Sequence, residues 1–230
     1  VATGNKYEEA LDLSVSKTGI TLELRRAYNS QVSDNGPLGF GWTHNYDLSL
    51  EVIQTSPNKR IRIWDEDGRA LYFIEMRHWP PDSPEIAFSG ESGVKDRLKQ
   101  VISTGEYFLR KKEGNLTYKF GFDGKLLQIS DPNGNKITLT YTGELLTQVS
   151  DNFDKTLSFQ YDQNRITSIT DPKGKSVLYE YTSGDLTKVT YPDTNFIRYA
   201  YSNHFLTDKY ETNNNLIGHW EYDTKGRVST

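Results

Sequence analysis

Four histidines, 31 acidic residues and no cysteine bound the chemistry this 230-residue chain could carry. His44, His78, His204 and His219 show neither the HxxxH nor the HExxH spacing that sets two imidazoles on one helical face. With no thiolate available, a transition-metal cage is not expected. Asp65–Glu66–Asp67–Gly68 opens like a calcium loop. Ala70, however, stands where the loop needs glycine at its sixth position, and Met76 where its last position needs a bidentate glutamate, so a hairpin turn is predicted instead. No GxSxG, P-loop or GxGxxG motif occurs. Carboxylates are so abundant that pairs about 5–9 Å apart arise without glycosidase chemistry being intended. Asn115–Leu116–Thr117 has the form of a glycosylation sequon but leads straight into a predicted strand. The residues therefore predict no catalytic group, no cofactor and no metal ligand: a protein that is not an enzyme.

What the sequence does carry is a repeat. From residue 116 onward, aromatic residues recur as Phe122, Tyr141, Tyr161, Tyr181, Tyr201 and Tyr222, and Leu127, Leu146, Ile166, Leu186 and Leu206 follow the first five at the fifth place. Before each aromatic, apolar residues alternate with polar ones, as in Leu157, Phe159, Tyr161 and in Val177, Tyr179, Tyr181. Period two is the signature of a strand with one packed face. Thr142–Gly143 and Ser183–Gly184 supply residues that tolerate positive φ in hairpin turns. Asp131–Pro132 and Asp171–Pro172 open a second turn, where proline presets φ and need not donate to a ladder. Each unit thus reads strand, turn, strand, turn. Such hairpins cannot bury their apolar faces alone and are expected to pair side by side in one long antiparallel sheet, which must twist and curl towards a spiral, barrel or shell. The predicted fold class is all-β: successive antiparallel hairpins in one strongly curved sheet.

Residues 1–115 do not repeat but also read as strands. Leu11, Leu13 and Val15 alternate, as do Ile20, Leu22 and Leu24. Gly39 and Gly41 flank Phe40 and precede Trp42, letting the backbone bend while the rings fill space on the concave side. Ile61 and Ile63 lead through Asp65–Gly68 to Leu71–Phe73, a hairpin; residues 78–93 read as an irregular loop, and 94–101 as ambiguous, with a helical turn conceivable. The predicted division is a non-repetitive N-terminal module over 1–115 and an array of about five and a half units over 116–230.

Composition agrees. Hydrophobic residues make up 35% of the chain, with 13% aromatics, a balance suited to strands with one packed and one wet face. Net charge is −4, which predicts no attraction to nucleic acid. The short basic run Arg110–Lys111–Lys112, closed by Glu113, reads as a solvated strand end. No apolar run reaches the roughly 20 residues of a membrane helix. The chain opens at Val1 rather than Met, so it reads as a segment of a longer protein.

Tyr161–Gly174, which reads Y-D-x-x-x-I-x-x-I-x-D-P-x-G, resembles the pattern x-Y-D-x-x-x-x-L-x-x-V-x-D-P-x-G of the YD repeat of bacterial RHS proteins and of insecticidal-toxin and teneurin shells, with one residue fewer before its first aliphatic. Arg25–Ser30 followed by Gly36–Tyr46 resembles the N-terminal module of RHS proteins, with Tyr28, Gly39, Phe40, Gly41 and Trp42 as its anchors. Within the repeats the literal Tyr-Asp pair occurs only at 161–162 and 222–223, with Thr or Ser usually replacing the aspartate elsewhere. The resemblance implies a β-cocoon of an exported bacterial protein, secreted or at the cell surface, that encloses a C-terminal toxin or cargo. Its partners would be the remainder of the same shell and that cargo. The self-cleaving aspartic segment of such shells is absent from this sequence. A carbohydrate-binding surface module, with exposed rings contacting glycans, is the alternative. The final strand near 216–230 predicts edge pairing with a second copy of the fragment.

Overall fold

In the computed structural model, which describes residues 4–15, 19–76 and 82–229, every regular element is a strand. The N-terminal strands are β1 (Tyr7–Ser14), β2 (Glu23–Asn29), β3 (Asn35–Gly36), β4 (Gly39–Phe40) and β5 (Trp42–His44). A first series of hairpins comprises β6 (Ser49–Gln54), β7 (Arg60–Trp64), β8 (Ala70–Glu75), β9 (Glu85–Gly90), β10 (Arg97–Val101) and β11 (Tyr107–Arg110). The repeats supply β12 (Thr117–Phe120), β13 (Leu126–Ser130), β14 (Lys136–Thr142), β15 (Leu145–Asp151), β16 (Thr156–Asp162) and β17 (Arg165–Thr170). They continue as β18 (Ser176–Thr182), β19 (Asp185–Thr190), β20 (Phe196–Ser202), β21 (Phe205–Glu211) and β22 (Leu216–His219).

Strands β6 to β22 pair with their chain neighbours, every ladder antiparallel, and make one 17-stranded sheet. It runs without a break from β11 into β12, across the point where the sequence changes from non-repetitive to repetitive. The sheet is not closed into a barrel. It coils: an isolated bridge joins Ser49 to Lys125, and Leu50 N–H donates to Gly124 O at 2.9 Å, so β6 lies against the turn between β12 and β13. The twist natural to antiparallel strands accumulates over successive hairpins until the first meets the turn after the seventh strand.

Periodicity explains the local structure. Inner-face residues such as Leu157, Phe159, Ile166, Ile169, Val177 and Tyr179 are buried, and their sequence neighbours face out. Each repeat hairpin from β14 onward carries a register shift one residue before its tyrosine, so Tyr141 opposes Leu146, Tyr161 opposes Ile166, Tyr181 opposes Leu186 and Tyr201 opposes Leu206. The two-residue turns use positive φ at Gln163–Asn164, Ser183–Gly184 and Asn203–His204, as hairpins with primed turns require. In the second turn, the opening aspartate is a clamp. Asp131 Oδ1 accepts from the N–H groups of Asn133 and Asn135 at 2.8 and 2.9 Å, and Asp171 Oδ1 from those of Lys173 and Lys175 at 2.8 Å each.

Three expectations change. The stretch 78–93, predicted irregular, contains β9, and 94–101 contains β10 rather than a helical turn; both are recruited as ladder neighbours by β8 and β11 (residues 77–81, with His78 and Trp79, lie outside the described residues). In the first repeat unit, Phe122 and Leu127 do not hold the anchor places: Phe122 lies in the turn, 81% exposed, and Leu127 is half-buried. Phe120 and Leu126, both fully buried, oppose each other there instead. The turn Gly121–Lys125 is one residue longer than in the following units, so counting back from the leucines by a fixed interval misses the phenylalanine that packs.

Candidate functional site: the plugged face of the wall

The concave side of the repeat sheet is not empty. Strands β1, β2 and β5 form a separate three-stranded sheet, and with the β3–β4 hairpin they fill that side, sharing one continuous hydrophobic core with the wall. Alternation along β2 places Leu22, Leu24, Arg26 and Tyr28 on the same inward face. Arg26 thereby becomes a fully buried cation in the interface between the two sheets. Its Nε donates to Asp12 Oδ2 at 2.8 Å, and both side chains are wholly inaccessible. The wall completes the site: Tyr179 OH donates to Asp12 Oδ2 at 2.9 Å and Tyr191 OH to Asp12 Oδ1 at 3.2 Å. The guanidinium carbon lies 4.5 Å from the Trp42 ring centre and 5.3 Å from that of Tyr199. Burial alone would depress the Arg26 pKa, but the Asp12 carboxylate together with Tyr199, Tyr191 and Tyr179 outweighs it and holds the group charged; burial, reinforced by Asp12, raises that of Tyr179.

The remaining dock is built by the residues the sequence marked. Trp42 Nε1 donates to Tyr201 OH at 2.9 Å, and Tyr28 OH accepts the Leu206 N–H at 3.0 Å. Phe40 stacks on His204, ring centres 3.8 Å apart, and its N–H donates to Gly184 O. Gly39 has φ +91°, and a Cβ there would sit 2.5 Å from Gly184 O, so only glycine permits this approach. Gly41, also at positive φ, is crowded by the Tyr28 ring. Ile166 N–H donates to Pro37 O, and Arg165 holds the carbonyl of Gly36 at 2.6 Å.

The repeated tyrosines are rungs between hairpins. Tyr141, Tyr161, Tyr181 and Tyr201 donate through their hydroxyls to the carbonyls of Leu126, Leu146, Ile166 and Leu186, each 15 residues back, at 2.7–2.9 Å. Tyr222 does the same to Leu206 at 2.8 Å. These rings are half-buried rather than forming an exposed stripe. Phe122 has no hydroxyl to donate, which accords with its place in the turn.

Beside the plug, His44, Asp47, Tyr141, Tyr161, Lys125 and Arg165 line an open cleft of about 510 Å³. Burial pushes the Asp47 carboxyl up to about 7, with Asp34 adding to the rise against a Thr43 hydrogen bond. Burial likewise pushes His44 down to about 3, and its Nδ1 accepts the Tyr46 N–H at 3.2 Å. His204 and His219 each face one aspartate, Asp185 at 2.9 Å and Asp208 at 2.7 Å. The sequence reading passed over Asp12, Arg26, Tyr191 and Tyr199; the signal for Arg26 was an arginine in register with Leu22, Leu24 and Tyr28, a charge on the apolar side of an alternating strand.

A continuous antiparallel hairpin wall whose concave face is plugged by its own N-terminal strands defines an all-β hairpin-repeat protein. Two family profiles match the chain: a domain of unknown function (DUF6531) over residues 1–73 and the RHS repeat over residues 162–195. The chain belongs to the RHS/YD-repeat proteins. Among curated proteins it is 32% identical over 142 residues to the tRNA nuclease WapA of Bacillus subtilis (strain 168), and 31% identical to the tRNA3(Ser)-specific nuclease WapA of Bacillus spizizenii. The match covers 61% of this chain but only 5% of each relative, so the chain corresponds to a small part of their length.

Proposed function

We propose that this chain is the capped end of an RHS-type wall in an exported, toxin-related protein: a structural element without catalytic residues, whose use is to shield a cargo carried by the same polypeptide. The observation that supports this reading most is the Asp12–Arg26 pair. Both partners belong to the plug, and the wall meets them through the hydroxyls of Tyr179 and Tyr191, which this docking alone brings to the buried Asp12 carboxylate. A module held on the wall in this way fills its concave side across β17–β21, while the neighbouring β22 leaves an edge to accept further hairpins. The relatives are named as tRNA nucleases, yet the matched part is a small fraction of them. On this reading their nuclease activity belongs to other regions, and the part shared with this chain serves as housing at the cell surface or outside the cell. Its partners are then the rest of the wall and the enclosed cargo.

Limited proteolysis of the full-length gene product tests this. The segment that follows the repeats should survive protease doses that destroy it when expressed alone, and should become sensitive in an Arg26→Met variant that loosens the plug. Equal cleavage inside and outside the parent protein would refute the shielding role.

A further inference from the structure

The outward side of β10 and β11 carries charge that the molecule leaves uncompensated. Leu98 and Leu109 point inward, so Arg97, Lys99, Phe108 and Arg110 point out. The ladder sets Arg97 directly opposite Arg110. Like charges facing each other across a ladder destabilise it, and this chain, at net −4, has carboxylates to spare. Nearby cations are neutralised: Lys99 by Glu85 at 2.6 Å and Lys119 by Glu106 at 2.8 Å. Arg110 instead holds the neutral Asn115 Oδ1, at 3.0 and 2.5 Å, and Arg97 and Lys95 have no carboxylate partner among the described residues.

These three cations line an open cleft of about 860 Å³ together with Ser89 and Thr117; the carboxylates of Glu85 and Asp96 also line it, the first engaged by Lys99 and the second by the Lys112 N–H at 2.9 Å. Two guanidinia on adjacent strands present planar, multiple N–H donors that suit tetrahedral oxyanions. Among the described residues, the one ring on this outward face is already taken: Lys99 and Lys119 ammonium groups stand 5.7 and 5.9 Å from the centre of Phe108. Among the described residues no bare aromatic face is left there for stacking a base, as binding of single-stranded nucleic acid requires. We propose that the outer face of β9–β11 binds the sulfate or phosphate esters of a polyanionic chain lacking bases, with Arg97 and Arg110 as the principal contacts.

Fluorescence anisotropy with three labelled probes, a heparin oligosaccharide, inorganic polyphosphate and oligo-dT, tests the site and its source. Binding of either of the first two supports it, and the tighter one identifies whether sulfate or phosphate is the group bound. The double variant R97Q/R110Q should weaken binding by roughly tenfold or more and flatten its salt dependence. Because each arginine repels the other, the same variant should unfold at an equal or higher temperature than the wild type, which separates loss of the site from loss of the fold. Failure of both anionic probes to bind, equal binding of oligo-dT, or undiminished binding by R97Q/R110Q would overturn the proposal.

Discussion

Arg26 shows how one residue can set the geometry of a whole interface. Removing it as Arg26→Met would leave Asp12 buried with only two tyrosine hydroxyls. A stranded buried charge of this kind costs about 3–5 kcal/mol. Adding Asp12→Asn should recover part of that loss, because no charge then remains while the amide oxygen still accepts from Tyr179. Urea midpoints of the two single variants and the double variant measure this, and strictly additive losses would contradict it. Asp47 and His44 give the interface a pH signature. The folded pKa of Asp47, about 7, lies above its ordinary 3.8, so between those values the folded chain holds a proton that the unfolded chain releases, and Asp47 makes stability fall as pH rises. His44 acts oppositely between about 3 and 6.5: the unfolded chain takes the proton, so stability rises with pH. The two slopes offset each other near pH 4–6.5. Asp47→Asn should therefore stabilise the fold at pH 8, by about 1–2 kcal/mol given the openness of the cleft, and the gain should vanish towards pH 4. A gain that persisted unchanged at pH 4 would show that the carboxyl is not the cause.

At the scale of elements, the hairpins were legible because their signals are local: alternation gives the strand, a short polar turn gives the reversal, and the clamping aspartate marks the second turn. Legibility failed where register depends on a neighbour. Phe120 rather than Phe122 packs because the following turn is one residue longer, and that turn is the one that meets β6, a strand some 70 residues earlier. Likewise β9 and β10 carry weak strand signals of their own and are ordered by pairing with the strands beside them. Tyr179 reads as a generic inward ring; its relation, and that of Tyr199, to Arg26 is a property of two sheets meeting and is written in neither segment alone. Gly124 sits at the coil's point of contact, with φ +84° and a Cβ position only 1.9 Å from Leu50 O. Gly124→Ala must therefore strain the turn and push β6 away. The expected result is loss of hydrogen-exchange protection at the Leu50 amide, which donates to Gly124 O, with protection in β16–β19 retained. Unchanged exchange at Leu50 would mean that the contact does not hold the coil.

The whole molecule has two edges, and they are not equivalent. Along β6 the end nearest Ser49 is occupied by the β12–β13 turn, so a second chain could pair with only part of that strand. Along β22 one side is paired with β21 and the other is unladdered, and Leu216 and Ile217 stand 54% and 49% exposed beside it. An exposed apolar edge is a template for another strand. Pairing β22 with β6 of the next molecule would propagate without end, but the obstructed start of β6 opposes it, whereas β22 with β22 about a twofold axis closes after two copies. The chain is therefore expected to form a dimer through this edge when no further strand covers it, and Ile217→Pro, which deletes an edge N–H and bends the strand, should return it to a monomer. Light scattering at high concentration decides between the two. A strict monomer for the unmodified chain would mean that the edge is protected by the segment after β22, where Val228 N–H already reaches back to Gly4 O, and that the wall ends itself rather than awaiting another strand.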